Sequence, residues 1–516
     1  MRSHRLLTLL LPLPLALPLL LAWLGRFDGL YGQDPYAYFD YAVGPLLANL
    51  RHLQLPPPFF WPPGYPLLLA LASFCLGPAP LAGQVVSLGA GLLVPIFTAL
   101  LAHELGAGEE DDGWGTPLLA GLLAALVGQL WQSSLVVMAD VPALATATAG
   151  MWALARHSRQ PRRQRWLVLA AAALALAVLS RWAYALVAVI ALLAALWRLK
   201  ALPRPLALRQ ALLAALVVAV LLAPLWLPLL TGATDAVSGR RAFAGDLAVY
   251  SWNPLNAFRR QFTTADGLLV YNRPNGLWYG LAPAHRFYFT PLLAVFLPLG
   301  AWAVLWQARG SGRRRRATAT LLLIGWPLLI FGFHAGAPWQ NFRFNLAHLP
   351  PLAILVAVGI RTSAGWLSRL PVGRPRAAGQ ALLIGWVLVG MAAMGYGGLT
   401  LTREFIARKN ADLTTVRWLE TQTGPDADLF TFNLTATFRH YGRLPVHDLY
   451  ALDPADLPAL LGDARPDYLL IDLAEIEGQW QNRAPSLNYH RLRDEIGLVE
   501  VGRQRSYTLF RLREEG

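Results

Sequence analysis

Cysteine is almost missing: Cys75 stands alone in 516 residues, which excludes an internal disulfide and a cysteine-rich zinc site. Charge is scarce as well, at 14% of residues. The C-terminal region lacks a phosphate-cradling glycine loop, a nucleophile elbow and a metal cluster. His334 and His348 have no second ligand at i+4 spacing and read as packing or interfacial residues. No small-x-small cleavage site follows the apolar run that ends at Leu24, and the run is long enough to span. This predicts an uncleaved helix with Arg2 and Arg5 in the cytoplasm.

What the chain does have is apolar sequence. Hydrophobic residues make up 55% and come in long runs, the pattern of a polytopic α-helical membrane protein. The 44 Lys and Arg against 30 Asp and Glu, a net charge of +14, then belong to cytoplasmic loops and not to nucleic-acid binding. Four short loops are basic: Arg156 to Arg165, Arg198 to Arg209, Arg309 to Arg316, and Arg361 to Arg376. With all four on one side, two spans fit each interval: Trp166 to Leu179 with Ala183 to Trp197, Leu206 to Leu230 with Phe287 to Trp306, and Ala317 to Phe333 with Phe344 to Ile360. A last span, Ala381 to Thr400, leaves the remainder outside. Pro62 to Gly77 covers only about 24 Å of a hydrocarbon core about 30 Å thick and opens on Pro62, Pro63 and Pro66, so it reads as an interfacial or re-entrant helix.

The expected architecture is a membrane domain of about eleven spans over residues 1–400, with a first outer loop at 25–80 and a long outer loop at 231–286. A small extracytoplasmic α/β domain follows over 401–516. Its elements are predicted as helices at Asp412 to Thr421 and Asp453 to Leu461, strands at Asp428 to Asn433 and Asp467 to Leu473, and a hairpin of Leu498 to Val501 with Tyr507 to Leu512 around Gly502-Arg503-Gln504. Covering the active face, binding an acceptor and stabilising the protein are all roles open to it.

The outer face collects the polar chemistry. The first loop carries the stretch Gln33-Asp34-Pro35-Tyr36-Ala37-Tyr38-Phe39-Asp40-Tyr41, and the second carries Asp140. The long loop holds Arg240, Arg241, Arg259, Arg260, Arg273, His285 and Arg286 among Tyr250, Trp252, Tyr271 and Trp278. Guanidinium forks suit phosphate and aromatic faces suit sugar rings, although a solvated loop with interfacial aromatics has the same composition. Quieter readings exist for single residues: Asp34 and Asp140 could cap helices, Arg181 could snorkel to the interface, and Arg343 beside Trp339 could anchor a helix end.

The string FFWPPGYPLLLALASFCLG at Phe59 to Gly77 resembles the segment after the first acidic loop in bacterial polyprenyl-phosphate-sugar glycosyltransferases of the GT-C superfamily, which includes protein O-mannosyltransferases and lipid A aminoarabinose transferases. The resemblance continues in order through most of the membrane region. It matches Asp34 to the family's first-loop acidic residue and Asp140, in SSLVVMADVPALATA, to that of the second loop. Arg181 in LSRWAYAL and Arg343 in NFRFNLAHLPPLAIL match two arginine segments of the family. The chain departs from the pattern where Pro35 follows Asp34 in place of a second carboxylate, and where Trp182 follows Arg181 in place of proline.

The resemblance implies a multi-pass protein of a bacterial inner membrane that moves a sugar from a polyprenyl-phosphate donor to a hydroxyl of a lipid, glycan or protein acceptor. Asp34 and Asp140 are the expected catalytic residues, with Asp34 as general base. Arg343, Arg260, Arg286 and Arg181 are expected at the donor phosphate, and Asp40, Tyr36, Tyr38, Trp61 and His285 at the sugar or acceptor. A divalent cation, magnesium or manganese, is a candidate cofactor. Two other classes share parts of the pattern: a ligase or polymerase using lipid-pyrophosphate-linked glycans, and a lipid or small-molecule transporter. The transporter reading is disfavoured because the spans are nearly free of charge and the carboxylates stand at their outer ends.

Overall fold

The computed structural model describes residues 8–513, apart from 55–58, 60, 107–113, 201, 231–251, 308–312, 372, 426, 454, 456, 458–460 and 462–466. Arg2, Arg5, Arg240, Arg241, Tyr250 and most of the helix expected at Asp453 to Leu461 lie outside the described residues.

Apolar runs fall on helices as expected. Five helices are long and apolar enough to cross a membrane: Pro80–Leu105, Arg204–Leu221, Ala317–Gly336, Phe342–Ser368 and Arg374–Gln422. The pair Gly115–Ala125 and Gly128–Leu135, bent by 56°, makes up to six. The other apolar helices are shorter, at 10–17 residues: Leu13–Leu24, Gly64–Leu76, Gln164–Ser180, Tyr184–Leu199 and Thr290–Trp306. About eleven spans were expected, and among the described residues five or six segments combine the length and the apolarity. Gly64–Leu76 begins directly after Pro62 and Pro63, with Pro66 in its first turn, and exposes Leu68, Leu71, Phe74 and Leu76 while burying Tyr65, Leu69 and Ala70, the two-sided pattern of a helix lying at an interface.

Burial is greatest along Leu349–Ser368, where every residue from Leu349 to Ile360 is buried. This helix and the Ala- and Leu-rich faces of Pro80–Leu105, Asp140–Arg159 and Gln164–Ser180 form one continuous core. The last helix, Arg374–Gln422, has 49 residues. At about 1.5 Å per residue it is about 73 Å long, more than twice a hydrocarbon core. The helix expected separately at Asp412 to Thr421 is its far end.

The C-terminal region is built on a five-stranded sheet of order β4-β3-β5-β7-β6, with β3 Leu429–Thr431, β4 Val446–Asp448, β5 Tyr468–Asp472, β6 Leu498–Gln504 and β7 Tyr507–Leu512. β3 pairs in parallel with β4 and β5, and β7 runs antiparallel to β5 and β6. The hairpin turn falls at Arg505 and Ser506, not around Gly502-Arg503-Gln504, because Gly502 takes up a register shift within β6. The long outer loop contains an unexpected two-stranded hairpin, β1 Gln261–Thr264 with β2 Gly267–Val270.

That sheet domain packs onto the first outer loop and onto the hairpin. Lys409, 2% exposed on the long helix, ion-pairs with Asp28, and both groups hydrogen-bond the Tyr441 hydroxyl. On the hairpin side, Gln479 Nε2 donates to the Asp266 carbonyl at 2.7 Å and Arg483 Nη2 to the Thr264 carbonyl at 2.8 Å.

Candidate active site

Two acidic loops meet because their backbones are tied together. Val137 N–H donates to the Gly29 carbonyl at 3.0 Å, and the buried Gln84 amide donates to the carbonyls of Phe27 and Leu135 at 3.1 and 3.0 Å. Gly29 has φ +93°, and a Cβ there would lie 2.5 Å from Gln84 Cγ, so this junction needs glycine. Gly64 plays a similar part: a Cβ would lie 2.7 Å from the Leu179 carbonyl, so the short helix seats directly beside the turn that carries Arg181.

The tie brings together four groups far apart in sequence. Asp34 lies in the first turn of Gln33–Tyr41, and Arg343 lies on the short, tightly wound segment Phe342–His348. Arg343 Nη2 donates to Asp34 Oδ2 at 2.6 Å, and its Nη1 contacts Met138 Sδ at 3.1 Å. Arg181 Nη1 meets Asp140 Oδ1 at 2.9 Å. Both guanidinium groups stand against the Phe344 ring, at 5.5 Å for Arg181 and 5.4 Å for Arg343. The backbone holds this arrangement: the Asn341 side chain accepts from Arg343 N–H at 3.1 Å, and the Tyr288 hydroxyl donates to the Phe342 carbonyl.

Neither carboxylate acts as a helix cap. The N-cap residues are Gly32 and Ala139, and the acids one or two residues further on reach the arginines instead. Arg181 follows Gln164–Ser180 as its C-cap and turns inward to Asp140, not outward to an interface. Arg343 likewise turns to Asp34 and not outward as an anchor, while its neighbour Trp339 donates its indole N–H to Asp266 Oδ2 at 2.9 Å.

A cavity of about 620 Å³ opens on the Asp34–Arg343 pair. Five amide side chains line it, Gln33, Gln129, Gln132, Gln340 and Asn341, with the rings of Tyr31, Phe287, Phe342 and Phe405. These amides and ring faces, with the charges of Asp34, Arg343, Glu404 and Arg408 among them, make a surface for a polyhydroxylated ligand. The long helix supplies the far wall through Leu401, Glu404, Phe405 and Arg408.

The remaining expected site residues lie around this hollow and not in its lining. Tyr38 is buried at 2% exposure, stacked on Trp61 at 4.7 Å and edge-on to Tyr65 at 5.4 Å. Burial pushes its hydroxyl well above the usual phenol range, against the pull of nearby Arg181. Tyr36 is buried at 3% against the C-terminal domain, its hydroxyl 3.5 Å from Thr437 Oγ1, and burial pushes it up to about 12. Asp40 faces away from the cavity, with His440 Nε2 at 2.8 Å. His285 stacks on Phe342 at 4.3 Å, behind the lining, and burial followed by Arg286 and Arg273 lowers its pKa. Arg286 sits outside the lining and pairs at 3.5 Å with Glu404, which lies within it. Arg260 is exposed beside the β1–β2 hairpin.

Glu404 and Arg408 were not anticipated, because the last span was expected to end at Thr400. The signal was present: Leu401, Glu404, Phe405 and Arg408 fall at i, i+3, i+4 and i+7, one helical face running on past the apolar stretch. As for a metal, among the described residues no three His, Cys, Asp or Glu side chains converge. Asp34 and Asp140 are each held by a guanidinium, a donor set unlike the six or so oxygens that magnesium or manganese prefers. The residues present do not fit such an ion.

No curated protein sequence gives a significant match. Residues 85–237 match the family model described as dolichyl-phosphate-mannose-protein mannosyltransferase. ArnT from Cupriavidus metallidurans, in a crystal structure bound to undecaprenyl phosphate, has 15% sequence identity and a TM-score of 0.57 over 97% of each chain. The archaeal oligosaccharyltransferase AglB from Archaeoglobus fulgidus, in complex with an inhibitory peptide and a dolichol-phosphate, has 12% identity and a TM-score of 0.56 over 92% of this chain and 69% of that one. A structure of the same archaeal enzyme with Zn and sulfate has 14% identity and a TM-score of 0.59 over 94% and 70%. At these identities the likeness is one of fold. The chain shares the fold of these two enzymes, and its residues 85–237 carry the sequence pattern of the mannosyltransferase family model.

Proposed function

We propose that this protein transfers a sugar from a polyprenyl-phosphate donor to an acceptor hydroxyl at the membrane surface. The observation that carries the reading is the Asp34–Arg343 pair at 2.6 Å, built from loops 309 residues apart and opening into an amide-lined cavity. The family-model match and the shared fold support a lipid-linked donor.

The chemistry follows from the groups present. The acceptor oxygen attacks the anomeric carbon, its proton passes to Asp34, and the bond from that carbon to the phosphate oxygen breaks with inversion. Negative charge grows on the departing lipid phosphate. Arg343 is placed to meet it: Nη2 holds Asp34, Nη1 contacts only a thioether, a weak acceptor, and the buried Nε has no hydrogen-bond partner. One guanidinium can thus keep the base oriented while turning its remaining N–H groups to the phosphate. Asp140 holds Arg181, and Phe344 between the two arginines keeps their planes apart, so Asp140 and Arg181 are positioning residues in this scheme. Arg286, expected at the donor phosphate, pairs with Glu404 at the edge of the cavity.

The test separates binding from chemistry. With undecaprenyl phosphate as the probe, Arg343→Met is expected to lose most binding, while Asp34→Asn keeps it and loses transfer of a radiolabelled sugar from the corresponding donor. Full probe binding by Arg343→Met would remove the arginine from the phosphate site.

A further inference from the structure

The end of the bundle away from Asp34 holds a second amphiphilic site. Along the single helix Asp140–Arg159, His157 lies about 25 Å from Asp140, so a ligand there is far from Arg343. A cavity of about 200 Å³ is lined by His157, Ser158, Pro161 and Arg198 with Leu167 and Ala195. Leu167 and Ala195 also line a second cavity of about 160 Å³, whose other walls are Ala, Leu and Val side chains such as Ala171, Leu174, Ala188 and Val218. The two hollows are therefore neighbours across Leu167 and Ala195, a polar head beside an apolar tail.

Four helices make the groove: Asp140–Arg159, Gln164–Ser180, Tyr184–Leu199 and Arg204–Leu221. The last is peripheral. It exposes Leu208, Leu212, Leu216 and Val220 on one face, and its buried residue is Gln210, 0% exposed. Gln210 pairs with His157 Nε2 at 3.2 Å and donates to the Pro161 carbonyl at 2.7 Å, closing the polar end. Arg198 donates to the Ser158 carbonyl. The Ser158 hydroxyl oxygen, buried in the wall of this polar hollow, has no hydrogen-bond partner, an unsatisfied group that a ligand oxygen would answer.

Charge selects the ligand. No Asp or Glu occurs between Asp140 and Asp235, whereas Arg162, Arg163, Arg165, Lys200 and Arg204 surround the polar mouth in sequence. By the excess of basic residues this end is cytoplasmic, the side where bilayers carry anionic headgroups and where basic pockets between helices bind them. We infer that this groove is a specific site for an anionic phospholipid, with one acyl chain along the Ala-lined cavity and the phosphate between Arg198 and Ser158. It is independent of the donor site, because a phosphate bound here cannot reach Arg343.

Native mass spectrometry of the full-length protein, titrated with phosphatidylglycerol and with phosphatidylcholine of the same acyl chains, tests the inference. One phosphatidylglycerol is expected to bind about fivefold or more tightly than phosphatidylcholine, the ratio set by one favourable cation near the headgroup. Arg198→Gln removes the preference and Arg198→Lys restores most of it. Ala188→Phe, which fills the apolar part, weakens both lipids at this site, and undecaprenyl phosphate binding stays unchanged in all three variants, which also reports that they fold. Equal affinity for the two lipids overturns the inference. So does a preference that survives Arg198→Gln, or displacement of phosphatidylglycerol by undecaprenyl phosphate, which would assign the groove to the donor.

Discussion

Both ends of the membrane bundle carry arginine–carboxylate groups, and the contrast between them shows what marks a reactive site. At one end Glu104, 8% exposed, is held by Arg156 at 3.2 Å and Arg159 at 3.3 Å, with the Arg156 guanidinium 4.4 Å from the Trp166 ring. At the other end Asp34 meets Arg343 at 2.6 Å and Asp140 meets Arg181 at 2.9 Å, both arginines against Phe344. The chemistry of the pairs is the same. Their surroundings are not: the Glu104 group lines none of the cavities described above, while Asp34 and Arg343 open into the largest of them. A buried ion pair against an aromatic ring is common structural furniture; one that borders a hollow of amides and rings can act on a ligand.

The largest expected effect is at the open pair. Asp34→Asn should lower sugar transfer per folded molecule about 100- to 10,000-fold, the usual range for a general base. Comparable transfer by the variant would make the two ends equivalent. Glu104→Gln should do the reverse. It leaves two guanidinium groups without their carboxylate, and because those arginines are a quarter to a third exposed we expect about 1–3 kcal/mol of stability to be lost in denaturant titration, with transfer per folded molecule unchanged.

A smaller effect concerns the junction between the long helix and the sheet domain. Burial pushes Asp412 up to about 6, against the pull of Arg505, so its neutral form is the one the folded state prefers. An acid raised in the folded state stabilises most below its ordinary value, and that contribution is lost as pH rises through about 6. Asp412→Asn should therefore flatten the fall in melting temperature between pH 5 and 7 and raise it at pH 7. The smallest effect is expected at Asp40, whose side chain is 59% exposed beside His440. Asp40→Asn should cost about 0–1 kcal/mol and leave transfer intact; a large loss of transfer would move the acceptor to that face.

How far the sequence reached follows the same contrast. Asp34, Asp140, Arg181 and Arg343 were legible as a set through the family resemblance, and the structure brings all four to one place. Their pairing was not legible, since the tie between the loops runs through backbone carbonyls and Gln84. Asp40 fell on the wrong side for a geometric reason: six residues after Asp34 on a helix is about 240° around its axis. Tyr36, Tyr38 and Trp61 share the sequence look of a sugar platform, yet packing against the C-terminal domain and Tyr65 consumes their faces. Four of the five C-terminal strands were placed by their short apolar runs, and β4 was missed because its three residues, Val446–Asp448, carry only one apolar side chain. The continuous helix to Gln422 was hidden because hydropathy falls away after Thr400 while helical periodicity does not.

The comparison of the two ends can be settled by one mapping experiment. A polyprenyl phosphate carrying a photoreactive group next to its phosphate, irradiated with the purified protein in lipid nanodiscs, should label peptides containing Gln33–Tyr41 or residues 340–343. Labelling concentrated at residues 157–199, with none near Asp34 or Arg343, would place the lipid phosphate at the wrong end and contradict the account.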